Sequence, residues 1–157
     1  MPYEVELMLI PEQPIAGIRE RGPLGEIGTR IRRLRAALEG TGFATKGSLM
    51  ARFFEDDSAS PSLDYEVCLP IDARADGSVP DRIGEARTDI IPTHLALVTT
   101  HVGRHSEMQP AYAALLAESA TLGYAIAGPA TEVYLTGAES VADPAEYVTE
   151  VRLPVAR

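Results

Sequence analysis

The chain has 157 residues, 45% of them hydrophobic and 24% charged, which is the composition of one soluble globular domain able to bury a core. Its net charge of −9 lacks the basic footprint that a phosphate backbone requires, and this excludes direct nucleic-acid binding. No apolar run reaches the ~18 residues of a membrane span. The start, Met1-Pro2-Tyr3-Glu4, has neither the basic region nor the apolar stretch of a secretory signal, and a single cysteine, Cys68, fits a reducing cytoplasm.

Taken in chain order, a first strand is expected over 5–10, ended by Pro11, and a second over 15–21. Leu24, Ile27, Ile31, Leu34 and Leu38 then recur at intervals of three and four, the apolar stripe of a helix lying on a sheet. Arg30, Arg32, Arg33 and Arg35 fall between them and read as a solvated helix face. Gly40 and Gly42 end this helix. Strands follow over 49–55 and 63–69, separated by the acidic turn Glu55-Asp56-Asp57-Ser58. Residues 72–92, with Pro80 and Pro92, read as a linker.

A strand over 95–102 opens the second half. Its helix carries the stripe Met108, Tyr112 and Leu115, starts at a capping box formed by Ser106 and Gln109, holds Pro110 in its first turn and ends at Gly123. Tyr112 lies on that stripe and reads as core packing. Two strands close the chain, over 132–136 and 147–154, around the turn Ala142-Asp143-Pro144.

The two halves are one pattern written twice. At a shift of 81, Gly22 meets Gly103, Gly42 meets Gly123, Gly47 meets Gly128, Phe43 meets Tyr124 and Phe53 meets Tyr134. Three residues further out of step, Tyr65-Glu66-Val67-Cys68-Leu69-Pro70 matches Thr149-Glu150-Val151-Arg152-Leu153-Pro154. Such self-similarity sets the architecture before any element is assigned. The expected fold is α+β, a duplicated βαββ repeat: one domain with repeats over about 12–71 and 93–155, an antiparallel sheet, two helices and a ligand cleft between the repeats.

Alternation along the last strand turns Val151 and Leu153 toward the helices and puts Glu150 and Arg152 on the opposite face. The matching strand turns Val67 and Leu69 inward, with Glu66 and Cys68 opposite. Tyr134 and its counterpart Phe53 are expected away from the helices, beside the two carboxylates. Such a face makes an apolar cleft with an anionic floor, suited to a lipophilic cation. Glu66 and Glu150 paired with Arg52 and Arg152 in solvent is the alternative. No metal site is expected, because Gly103 breaks the helix that would align His101 with His105. Cys68 has no activating neighbour in sequence and reads as a small buried residue.

Pro14-Ile15-Ala16-Gly17-Ile18-Arg19, Gly22-Pro23, Tyr65-Glu66-Val67-Cys68-Leu69-Pro70, His101-Val102-Gly103, Gly128-Pro129 through Glu132-Val133-Tyr134-Leu135-Thr136, and Tyr147 through Pro154 together resemble the GyrI-like small-molecule-binding domains, the effector-binding domains of multidrug-responsive transcription regulators. The resemblance runs from Val5 to Val155 and includes no helix-turn-helix segment, so it implies a stand-alone sensor or sequestering module. It also implies that Glu150 sits at the base of a ligand cleft, with Tyr134 and Phe53 as walls. The ligand-binding candidates are thus Glu150, Tyr134, Phe53 and Glu66, joined by Arg152, Tyr147, Cys68 and His101. No cofactor is expected, and the partner is a small organic molecule. Catalysis is not required. The resemblance implies two alternatives, a small hydrolase with Glu150 as acid or base and an acidic inhibitor of a larger enzyme such as DNA gyrase, for which a protein partner stays open.

Overall fold

The computed structural model describes residues 3–43, 47–54 and 61–157. The acidic turn Glu55-Asp56-Asp57-Ser58 lies outside them. The chain forms two compact units, Pro11–Thr93 and the combination of Met1–Ile10 with His94–Arg157. Each is α+β, with antiparallel strands and one long helix.

The unit of Pro11–Thr93 contains β2 (Gln13–Gly22), α1 (Ile27–Leu38), β3 (Met50–Phe53), β4 (Leu63–Pro70), β5 (Arg82–Ile83) and β6 (Ala86–Ile91). Its strands run β3-β4-β2-β6-β5. The residues expected to form a linker therefore build a hairpin that extends the sheet: β6 pairs with β2 from Gln13↔Ile91 to Gly17↔Arg87. Gly84 makes its turn with a positive φ of 60° and approaches α1 so closely that a Cβ would stand 3.3 Å from Ala37. The two prolines bracket the hairpin rather than prevent it.

The other unit contains β1 (Glu6–Ile10), β7 (His94–Val102), α2 (Gln109–Leu122), β8 (Ala125–Ile126), β9 (Ala130–Thr136) and β10 (Val148–Ala156). Its strands run β1-β7-β10-β9, with β8 beside the end of β10. Leu97, Val151, Leu153 and Val155 from the sheet pack with Ala111 and Leu115 of α2 and with Met108 just before it into one core, so the expected inward face of β10 is observed. At about 25 cal/mol per Å² of apolar surface, this shared burial is what holds α2 on the sheet.

Duplication is visible element by element. β2 and β7 begin 81 residues apart, the 3-10 turns Leu24–Glu26 and His105–Glu107 match at the same shift, and α1 and α2 follow them. Gly123 ends α2 with φ 75° while its N–H reaches Ala120, and Gly42, its counterpart, has φ 78°. The start of α2 differs from expectation. A 3-10 turn occupies His105–Glu107, so Met108 becomes the N-cap and no side chain caps the helix. Pro110 does lie in the first turn.

Arg30 also departs from its expected solvated role. It is 3% exposed and shares the inner face of α1 with Leu34 and Leu38. Its Nη1 donates to the carbonyls of Glu20 at 3.0 Å and Tyr65 at 2.6 Å, and its guanidinium lies 3.8 Å from the Tyr65 ring centroid. Intervals of four put residues 30, 34 and 38 in one row, so the helix period takes Arg30 inward with the leucines. Two backbone acceptors and an aromatic face satisfy a charge that burial would otherwise penalise.

A tyrosine-bound carboxylate as the candidate functional site

Glu66, Glu150 and Glu132 are the sheet carboxylates from which a candidate site is built. On β4, Glu66 is 7% exposed and accepts from Nε of Arg52 at 2.7 Å. Arg52 extends from there to Asp89 at 3.6 Å. The carboxylate sits over Gly17, where a Cβ would come within 2.8 Å of its Cδ. Cys68 lies beside it, fully buried, with its thiol pKa pushed up chiefly by burial and next by the charge of Glu66.

On β10, Glu150 accepts from Nε of Arg152 at 2.6 Å, and both side chains are half-buried. The two residues share the face of the sheet turned away from α2, as expected. Both expected carboxylates are thus already neutralised by an arginine of their own unit. This is the pairing weighed from the sequence, except that Glu66 is buried rather than solvated.

Tyr134 and Phe53 do not share a face with these carboxylates. Thr149 pairs with Tyr134 and Val151 with Glu132 across the β9–β10 ladder, and residues directly opposite in an antiparallel pair point the same way. Since Val151 packs on α2, Glu132 and Tyr134 face α2, while Val133 lies opposite them beside Glu150. In the other unit, Phe53 pairs with Tyr65 and stacks on its ring at 6.1 Å, so it too faces the helix. The apolar residues Val133 and Leu135 suggested the reverse. The polar residues of β9 can face inward because they satisfy one another.

That inward cluster is a candidate site the sequence did not reveal. Glu132 is buried, and its two carboxylate oxygens accept one phenol each: Oε2 from Tyr112 of α2 at 2.5 Å and Oε1 from Tyr134 at 2.8 Å. Among the described residues no lysine or arginine pairs with it. Burial, followed by the charge of Glu132 and the bond to it, raises the Tyr112 pKa far above the ordinary tyrosine range. Tyr112 is therefore a fixed donor to the carboxylate, not core packing alone. The sequence did hold one signal: Tyr112 replaces Ile31 of the first repeat on a sheet-facing stripe, and a buried phenol needs an acceptor.

Around the carboxylate stands an aromatic rim. The His105 ring lies between Tyr134, at 5.2 Å, and Tyr147, at 5.0 Å. Tyr147 is presented by a 3-10 turn, Pro144–Glu146, whose Ala145 N–H donates to the Asp143 carboxylate at 3.0 Å, and its carbonyl accepts from the Gly103 N–H at 2.8 Å. Below the rim, His101 is 3% exposed. Its Nε2 stands 3.0 Å from the Arg104 carbonyl and its Nδ1 2.7 Å from the Tyr3 hydroxyl. A carbonyl only accepts, so Nε2 carries a proton. Thr149, between His101 and Tyr134 in register, is fully buried, and its hydroxyl has no hydrogen-bond partner among the described residues.

Of the sequence candidates, Tyr134 bonds Glu132 directly, Tyr147 joins it through the His105 ring, and His101 lies on the same face, across Thr149 from Tyr134. Glu150 and Arg152 lie on the other face of the same sheet, and Phe53, Glu66 and Cys68 belong to the other unit. Among the described residues no cluster of three or more His, Cys, Asp or Glu is placed to hold a metal, and no helix is long and apolar enough to cross a membrane.

Residues 3–156 match the GyrI-like small molecule binding domain. The fold is shared with the C-terminal domain of EcmrR, at 22% identity and a TM-score of 0.79 over 100% of this chain and 99% of that one. It is shared likewise with a hydrolase from Listeria innocua, at 17% identity and TM-score 0.72 over 99% and 93%. SAV2435, solved bound to tetraphenylphosphonium, is 17% identical with TM-score 0.60 over 98% and 94%. The chain spans 58% of the length of EcmrR as seen in its complex with DNA. None of the curated proteins matches in sequence.

Proposed function

The chain belongs to the GyrI-like small molecule binding domain family, and from that premise we propose that its ligand is a lipophilic organic cation held against Glu132 by the rings of Tyr112, Tyr134 and Tyr147. One observation carries this reading. Glu132 is a buried carboxylate with two phenol donors and no cationic partner among the described residues, whereas Glu66 and Glu150 each have an arginine. An uncompensated buried charge is costly, and a desolvated cation brought to it recovers that cost as Coulomb and cation–π attraction.

Duplication supports the same reading. At the shift of 81, Arg30 falls on Ala111, and at the shift of 84 Tyr65 falls on Thr149. The first repeat thus carries its own guanidinium on a tyrosine ring, while the second has an alanine at that position and an anion on the facing strand. The cation that the first repeat builds in is left for a ligand to supply in the second. Tetraphenylphosphonium, the ligand named for SAV2435, has the charge and aromatic surface such a site accepts. The biological reading is a sensing or sequestering module, in keeping with the fold it shares with the EcmrR C-terminal domain.

A second reading puts a polar ligand group over the Glu150–Arg152 pair, whose side chains retain 21% and 25% exposure. Thermal-shift measurement with tetraphenylphosphonium and the neutral triphenylphosphine oxide tests the main reading, because a ligand that binds the folded state raises its melting temperature by mass action. A larger shift with the cation, and compound recovered unchanged, is expected. Equal shifts, or none, contradict a cation site, and a consumed compound contradicts a simple binding module.

A further inference from the structure

We propose that His105 is a proton-operated plug of the Glu132 site, so that protonation of its ring and binding of a cationic ligand exclude one another. The inference rests on the reading of Glu132 as a cation site and adds its regulation.

The geometry comes first. His105 sits on an exposed 3-10 turn, and its ring lies 5.2 Å from Tyr134 and 5.0 Å from Tyr147, inclined at 47° and 34°. The rim is tied together, because Gly103, two residues before His105, donates its N–H to the Tyr147 carbonyl at 2.8 Å. Gly103 adopts φ 129°, a conformation that side chains rarely take, and this fixes where the turn leaves β7. The imidazole thus occupies the place between two aromatic rings where a cationic ligand would stack. An imidazolium there is a planar organic cation beside a carboxylate, the chemistry the site offers its ligand.

The surrounding groups decide when the ring is charged. From β9 it faces Glu132 and the Tyr134 phenol, from β7 His101, and from the turn before β10 the Tyr147 phenol; its own turn adds Arg104 and Glu107. Burial is the largest influence and lowers its pKa, Glu132 opposes this, and His101 adds to the lowering. The neutral ring is therefore favoured at neutral pH, and an external cation displaces it from its place between Tyr134 and Tyr147. Acidification charges the ring and supplies an internal one. A bound cation lowers the proton affinity of His105, and by reciprocity the proton lowers the affinity for the cation. The first repeat shows the permanent version of this device, Arg30 on Tyr65, with a charge that never leaves.

Calorimetry with tetraphenylphosphonium between pH 8 and pH 5 tests the plug in wild type and in His105→Gln, an exposed position whose replacement leaves the core intact. Wild-type affinity is expected to fall toward about tenfold per pH unit below the His105 pKa, the limit for one proton displaced per ligand. Triphenylphosphine oxide binding is expected to stay flat, and His105→Gln is expected to lose the fall. The same slope in both proteins assigns the dependence to Glu132 itself and overturns the plug. A ligand-free reading comes from NMR titration of the His105 ring in wild type and Glu132→Gln. Loss of the carboxylate is expected to lower its pKa further, and an unchanged titration overturns the coupling. A wild type that binds no cation even at pH 8 refutes the cation site, and with it the plug, whereas binding with a flat slope refutes the plug alone.

Discussion

Tyr112 on α2 and Glu132 on β9 are joined by a hydrogen bond of 2.5 Å between a half-buried tyrosine and a buried carboxylate. The bond spans the helix–sheet interface and holds one carboxylate oxygen while Tyr134 holds the other. It also sets a measurable property of Tyr112, whose pKa lies far above the usual value. A group with a raised folded-state pKa stabilises the fold below the ordinary tyrosine range, near pH ~10, and loses that contribution only as pH climbs through its folded pKa. The chain has six tyrosines. Ultraviolet titration of wild type and Tyr112→Phe is therefore expected to give superimposable curves through the ordinary range, separating only when the protein unfolds. An additional phenol ionising in wild type near pH ~10 contradicts the buried donor. The variant leaves an acceptor short of its partner and is expected to lose about 1–3 kcal/mol in urea unfolding.

Arg30 offers a test in the other unit. Its guanidinium is bonded to two backbone carbonyls and covers the Tyr65 ring. Arg30→Ala removes both hydrogen bonds and leaves a cavity, for an expected loss of about 3 kcal/mol. Arg30→Lys restores the charge without the planar fork and is expected to recover only part of it. Urea midpoints unchanged in Arg30→Ala would return Arg30 to the solvated face.

Gly17 is placed by the Glu66–Arg52 pair. An alanine Cβ there meets Glu66 Cδ at 2.8 Å, its Oε2 at 2.9 Å and Cys68 Cβ at 3.0 Å. The carboxylate cannot retreat without leaving Arg52, so Gly17→Ala is expected to cost about 1–3 kcal/mol. Gly25→Ala, where no atom of the described residues stands within 4 Å of the new Cβ, is the control and is expected to stay within about 0.5 kcal/mol. Equal stabilities in the two variants would mean that Glu66 is not held as described.

Cys68 is fully buried with its thiol held in the neutral form, chiefly by burial. A thiol reagent at pH 8 is expected to leave it unmodified in the folded protein and to react with it fully in denaturant. Rapid modification of the native protein would contradict the packing of β4.

Much of the fold was legible in the sequence because the duplication repeats glycines and aromatics at one fixed shift. The order of strand, helix and two strands follows from it, as do the inward residues of β10, where Val151 and Leu153 alternate with charged neighbours. The helix row of Arg30, Leu34 and Leu38 was equally present. It went unread because arginine on a helix is taken as solvated until a buried acceptor is known. Strand β9 misled more seriously. Val133 and Leu135 are apolar and Glu132 and Tyr134 polar, so alternation pointed the wrong pair at the helix. A polar pair faces inward only when a third group, the Tyr112 hydroxyl, completes its hydrogen bonds, and that partner sits 20 residues away. The hairpin of β5 and β6 was hidden for a simpler reason: two short strands between prolines look like a linker until β2 is seen to need a neighbour.

The most direct test of the central claim is calorimetry of tetraphenylphosphonium binding at pH 8 to wild type, Glu132→Gln and Glu150→Gln. Glutamine keeps the shape of each side chain and removes its charge. Loss of the attraction from a buried carboxylate and its aromatic rim is expected to weaken binding to Glu132→Gln by about ten- to a hundredfold. Glu150→Gln, whose carboxylate is already engaged by Arg152, is expected to bind within about threefold of wild type. The opposite ranking, with affinity lost in Glu150→Gln and kept in Glu132→Gln, would contradict the account.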